Sequence, residues 1–189
     1  MGDLNMGKVL VLSTGFRKNG NFDCMAQAFA KGATEAGYEV EYISLSGKEI
    51  ECCRGCFVCQ KTMKCVIRDD VAGILQKMKT ADIIAFATPV YFYGMCGAMK
   101  NFLDRTYPLY PGSYHFRDIY LLASAGEDLE TTVQGTVEGL NNWIRCFDKT
   151  RLAGVVFAGG IMEKGEIEGH PALLQAYRTG KMVQAYGKH

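Results

Sequence analysis

The chain lacks any charge imbalance: 21 Lys and Arg face 20 Asp and Glu, for a formal charge of +1. That removes the electrostatic argument for a nucleic-acid partner or an anionic membrane surface. It also lacks long apolar runs. Its longest, such as Val9–Leu12 and Ile83–Ala87, fall far short of the roughly 20 residues a bilayer helix needs. The opening Met-Gly-Asp-Leu-Asn shows neither the basic start nor the apolar core of a secretory signal. Proline is scarce, at 4 residues, and no repeat, low-complexity tract or linker interrupts the sequence. The dinucleotide fingerprint Gly-x-Gly-x-x-Gly is missing. So is the Lys-Ser/Thr that closes a nucleotide-triphosphate loop, because Asn21-Phe22 stands in its place. These absences lead to an expectation of no nucleic acid, no membrane, and a cytoplasmic location where disulfides seldom persist.

What the chain has is cysteine. Five of its eight fall between residues 52 and 65, and four of them read Cys53-x2-Cys56-x2-Cys59-x5-Cys65. Thiols this dense are rarely placed for packing, since exposed cysteine invites oxidation. A disulfide framework, a zinc ion and an iron–sulfur cluster all use such sets. The expected compartment disfavours the first. Structural zinc sites usually show two short knuckles separated by a longer insert, whereas this compact spacing suits a tight loop around one cluster. Unliganded thiols and a redox disulfide also remain open. Cys24, Cys96 and Cys146 stand alone on predicted helices and read as small core residues.

Short β-rich runs and helical patterns alternate from end to end. Strands are predicted at Lys8–Ser13, Tyr38–Ser44, Asp82–Ala87, Ile119–Ser124 and Leu152–Ala158. Helices are predicted at Asp23–Ala36, about Asp69–Lys79, Cys96–Arg105, about Leu129–Phe147, and from Pro171 onward. Five strands joined by helices imply an α/β fold, with a doubly wound parallel sheet covered on both faces. Residues 1–189 are expected to form one domain, with a cysteine-rich loop at 50–68. Ligands of such sheets bind beyond the carboxyl ends of the strands.

The loop Ser13-Thr14-Gly15-Phe16-Arg17-Lys18-Asn19-Gly20-Asn21-Phe22 offers hydroxyls, a guanidinium and the unpaired amides of a helix start, a combination suited to phosphate. Thr88-Pro89-Val90-Tyr91-Phe92-Tyr93-Gly94 leaves the third strand with three consecutive aromatics. They can cap the core or form a platform for a flat ring. Lys100 and Asp104 read as a surface ion pair. Tyr107-Pro108-Leu109-Tyr110-Pro111, with Tyr114, His115 and Phe116, places large apolar groups in a loop. A subunit interface or the chain's own core must cover them.

Together these segments resemble the flavodoxin-like NAD(P)H-dependent FMN reductases, and within them the iron–sulfur flavoproteins. The first loop is similar to that family's phosphate loop, although Gly15 and Phe22 stand where hydroxyl side chains are usual. Thr88-Pro89-Val90-Tyr91-Phe92 to Gly94, then Gly97-x-Met99-Lys100-x-Phe102-x-Asp104-Arg105, matches its second signature. The cysteine segment up to Asp69-Asp70 matches the iron–sulfur subgroup, with Cys52 at a position often held by proline.

The resemblance implies a flavodoxin-like five-stranded sheet in the order 2-1-3-4-5. FMN phosphate would bind Ser13 or Thr14, Arg17, Asn21 and the amides around Gly15, Asn19, Gly20 and Phe22. The ring would lie along Pro89, Val90, Tyr91, Phe92, Tyr93 and Gly94, with Ser124, Ala125 and Gly126 at the outer rim. A [4Fe–4S] cluster would sit on Cys53, Cys56, Cys59 and Cys65. NAD(P)H would be co-substrate, a quinone or flavin the small acceptor, and ferredoxin an alternative electron donor. A homodimer or homotetramer is implied, and no side chain is required as catalytic acid or base. Two rival readings use the same fold: a flavodoxin-type electron carrier with a cluster, and a zinc- or thiol-stabilised binding protein.

Overall fold

The computed structural model describes residues 7–184. The first six and last five residues of the predicted domain lie outside the described residues. Its strands are β1 (Lys8–Ser13), β2 (Glu39–Ser44), β3 (Ile83–Tyr91), β4 (Gly94–Met95), β5 (Asp118–Ser124) and β6 (Arg151–Ala158). Its helices are α1 (Asn21–Glu35), α2 (Val58–Thr62), α3 (Val71–Thr80), α4 (Gly97–Asp104), α5 (Gln134–Ile144) and α6 (Pro171–Lys181).

The parallel strands run β2-β1-β3-β5-β6, which is 2-1-3-4-5 once the short β4 is set aside. Strand β4 pairs only with β3, antiparallel, through Val90 with Met95 and Tyr91 with Gly94. Period-two alternation sends neighbouring β1 residues to opposite faces. Leu10 and Leu12 join Ile84, Phe86 and residues of α3, α4 and α5 in one core. Val9 and Val11 join Ile83, Ala85 and residues of α1 and α6 in the other. Both faces are therefore buried, as the near-continuous apolar strands require.

Several boundaries differ from the sequence expectation for identifiable reasons. Helix α1 starts at Asn21 rather than Asp23, because Gly20 is extended (φ −70°, ψ 168°) and acts as N-cap. Asp23 then sits in the first turn, where its carboxylate accepts the Asn19 N–H at 2.7 Å. Strand β3 continues past Ala87 through Pro89, which pairs with Ser124 of β5. The single helix expected over 129–147 is a 3₁₀ turn (Glu130–Val133) followed by α5. A Cβ on Gly135 would lie 2.3 Å from the Tyr93 carbonyl oxygen, so this close approach requires glycine there.

The aromatic loop after α4 folds partly onto its own core. Tyr114 stacks on Phe116 at 4.6 Å, and Phe116 in turn meets Trp143 and Phe147. Phe116 is fully buried, so the loop's need for a subunit interface falls to the exposed Tyr107 and Tyr110 alone. Of the solitary cysteines, Cys96 is buried, Cys24 partly buried and Cys146 exposed, which corrects the core assignment for the last.

Candidate functional site

A cavity of about 310 Å³ opens at the carboxyl edge of the sheet. One wall is the start of α1, with Arg17, Gly20, Asn21 and Phe22. A second is the end of β3, with Pro89, Val90 and Tyr91, and a third is Ser124, Ala125 and Gly126 after β5. The fourth wall, Ile161, Met162 and Lys164, comes from the loop after β6 and was not expected from the sequence. The same carboxyl-edge rule covers that loop, and Gly159-Gly160 marks its turn.

The first and fourth walls are tied together. Asn21 donates from Nδ2 to the Glu163 carbonyl at 2.9 Å and accepts the Ile167 N–H at 3.3 Å. Arg17 donates to the Met162 carbonyl at 3.2 Å. The Glu166 carboxylate caps the same loop by accepting the Met162 and Glu163 amides at 2.7 and 2.9 Å, and these bonds hold its pKa below the usual carboxylate value. Neither Arg17 nor Lys164 is in an ion pair among the described residues. Two cations thus flank the first-turn amides of α1, which have no intrahelical acceptor.

The hydroxyls expected to bind phosphate are engaged elsewhere. Ser13 is fully buried and donates to Asp23 at 2.5 Å, and Thr14 is fully buried and donates to the Ala87 carbonyl at 2.8 Å. Asp23, itself buried, also accepts a short hydrogen bond from the Tyr42 hydroxyl. Burial and that bond together push the Tyr42 phenol far above its ordinary pKa. This network pins β1, β2 and α1 beneath the loop and leaves Ser13, Thr14 and Asn19 outside the cavity wall.

Gly15 does not line the cavity either, and the structure explains its pairing with Phe22. A Cβ at Gly15 would lie 2.3 Å from the Phe22 ring, which is 3% exposed. The two departures from the hydroxyl pattern are therefore one packing change.

Beyond Tyr91 the predicted platform turns away. Phe92 and Tyr93 form the two-residue turn between β3 and β4, both left-handed (φ 49° and 62°). Phe92 is fully exposed at its tip, and Tyr93 hydrogen-bonds Glu127 at 3.5 Å. Phe92, Tyr93 and Gly94 do not line the cavity. Lys100 and Asp104 make the expected surface ion pair at 2.7 Å.

Cys53, Cys56, Cys59 and Cys65 line a second, smaller cavity of about 120 Å³ together with Phe57, Ile67 and Tyr107. All eight cysteines are free. Among the described residues no group of three or more Cys, His, Asp or Glu side chains is placed to hold a metal ion, so neither zinc nor the expected cluster has a preformed ligand set. An all-thiol set spread around one cavity fits the donor chemistry of a multi-iron cluster. Burial and the neighbouring thiols of Cys65, Cys53 and Cys56 raise the Cys59 pKa. Asp69 and Asp70 stand at the start of α3 as expected, Asp70 as its N-cap, and they also hold this segment. Asp69 accepts the Glu51 amide at 2.9 Å, and Asp70 accepts the Glu49 amide at 2.8 Å.

Residues 7–148 match the NADPH-dependent FMN reductase family. The chain belongs to that family. It is accordingly an oxidoreductase with the flavodoxin-like α/β fold. An iron–sulfur flavoprotein of Methanocaldococcus jannaschii is 39% identical over 132 residues, spanning 67% of this chain and 68% of that protein. An iron–sulfur flavoprotein of Methanosarcina thermophila is 26% identical, spanning 87% of this chain and 84% of that protein. The structure of an NAD(P)H:quinone oxidoreductase from Methanothermobacter marburgensis superposes with a TM-score of 0.69 at 19% identity, covering 95% of this chain and all of that one. That last likeness supports the fold. No helix among the described residues is long and apolar enough to cross a membrane.

Proposed function

We propose that the protein is an FMN-dependent oxidoreductase that passes electrons from NAD(P)H to a small acceptor such as a quinone or a flavin. One observation carries this reading: a single cavity joins an amide- and cation-rich helix start to the apolar end of β3. Bound FMN supplies hydride acceptance from the nicotinamide and onward electron transfer. Arg17, Lys164 and the amides of Gly20, Asn21 and Phe22 hold the phosphate. Pro89, Val90 and Tyr91 hold the ring, and Ser124, Ala125 and Gly126 line its outer edge. Ser13 and Thr14 act beneath the loop by fixing its shape. No side chain of the cavity is needed as a proton donor. Residues 1–189 work as one cytoplasmic domain, and Phe92, Tyr91 and Met162 provide an apolar rim for a homodimer or homotetramer.

The four thiols around one cavity support a second component, a [4Fe–4S] cluster held by Cys53, Cys56, Cys59 and Cys65. The cluster would supply single-electron exchange with a carrier such as ferredoxin. Anaerobic stopped-flow reduction tests the enzyme reading. Bleaching of bound FMN by NAD(P)H supports it. A flavin that only ferredoxin can reduce would leave a flavodoxin-type carrier instead.

A further inference from the structure

Arg105 follows α4, and its side chain is 1% exposed, which is unusual for an arginine. Its Nη1 donates to the Glu51 carbonyl at 2.7 Å and to Asp69 at 2.6 Å. Its Nη2 donates to the other Asp69 oxygen at 3.0 Å and to Cys65 Sγ at 3.6 Å. Asp69 in turn accepts the amides of Glu51 and Val71. One turn earlier on α4, Asn101 donates to the Ile50 carbonyl at 3.0 Å. One helix thus grips both ends of the cysteine segment, and that helix begins directly after the β3–β4 hairpin at the flavin cavity.

Stability does not account for this arrangement. A buried ion pair is often no better than apolar packing of the same volume, and here the buried Arg105 Nε finds no partner at all. What the fork provides is placement. It fixes one thiol by direct contact and the surrounding backbone by the Glu51 and Asp69 bonds, with the planar geometry that lysine cannot copy.

We propose that Arg105 is the positioning residue of the cysteine segment. Its N–H···S contact holds Cys65 and would stabilise the negative charge that a thiolate-held cluster gains on reduction, since Asp69 neutralises the guanidinium itself. Hydrogen bonds to cluster sulfurs are among the protein's main controls on potential. The inference rests on the reading that these four cysteines hold a cluster.

The test is anaerobic reconstitution with ferrous iron and sulfide, followed by iron counting and dye-mediated potentiometry. It uses the wild type, Arg105→Lys, and the double variant Asp69→Asn with Arg105→Met. The double variant removes both charges and so leaves no unpaired carboxylate to unfold the chain. Its loaded fraction should show a reduction equilibrium about tenfold less favourable, a potential about 59 mV lower for one electron. Arg105→Lys should show a smaller shift of the same sign. A purely structural role would lower iron content and leave the loaded fraction at the wild-type potential, which overturns the proposal. Full iron and an unchanged potential in Cys65→Ala would also overturn it. A wild-type chain that takes up no iron refutes the cluster reading and this proposal with it.

Discussion

Replacing Gly15 by serine adds a hydroxyl to the loop after β1, and that change alone overpacks the loop. The new Cβ would lie 2.3, 2.8 and 2.9 Å from three atoms of the Phe22 ring. Those distances are inside van der Waals contact, and the ring is buried, so it cannot swing into solvent. Overpacking of this kind costs about 1–3 kcal/mol. Phe22→Thr alone empties a buried aromatic site and should cost about 3 kcal/mol, near the lower end for aromatic truncation. The double variant places the serine in the space the ring gives up, so the overpacking term disappears. Its destabilisation should fall short of the sum of the two single changes by about 1–3 kcal/mol, the coupling seen between residues in contact. Urea unfolding of the wild type and the three variants measures it. Unfolding energies that add within about 0.5 kcal/mol would refute the packing argument.

Tyr42 has a raised pKa in the folded state, so its contribution is complete below the unfolded value near pH 10 and is lost as pH rises above it. Tyr42→Phe should therefore flatten the alkaline limb of a stability–pH profile, and an unchanged slope above pH 10 would contradict the Asp23 network. Asp69→Asn breaks a pair whose side chains are 3% and 1% exposed, and should destabilise the chain by about 3–5 kcal/mol in thermal or denaturant unfolding. Replacing Phe92-Tyr93 by Asn-Gly relieves two left-handed residues and should stabilise the hairpin by about 1 kcal/mol or more, read as a rise in melting temperature.

The doubly wound parallel sheet was legible because apolar strands alternate with helical periods, while its strand order came from the family resemblance. A cavity at the carboxyl ends of the strands also matches expectation, since it follows from where the strands end. Side-chain direction was not legible. Ser13 and Thr14 are the residues a phosphate loop calls for, yet Asp23 and the Ala87 carbonyl capture their hydroxyls. The Thr14 capture depends on the register between β1 and β3, and the Ser13 capture on the seating of α1 against β1. Phe92 and Tyr93 continue an aromatic run, but the β4 pairing turns them off the cavity. Trp143 of α5 and Phe147 just beyond it cover Phe116 from about thirty residues later, a contact no local pattern announces. Lys164 and Met162 were missed because nothing in Gly159–Gly165 resembles a cofactor motif, and their tethers to Asn21 and Arg17 bring them to the site.

The most direct test of the central claim is to add FMN to flavin-free protein, measure the stoichiometry, and then add NADPH or NADH without oxygen. The account predicts about one FMN per chain, weakened by Lys164→Gln far more for FMN than for riboflavin, and bleached by a reduced nicotinamide. A chain that binds no FMN, or binds FMN and riboflavin equally, would contradict the assignment of this cavity.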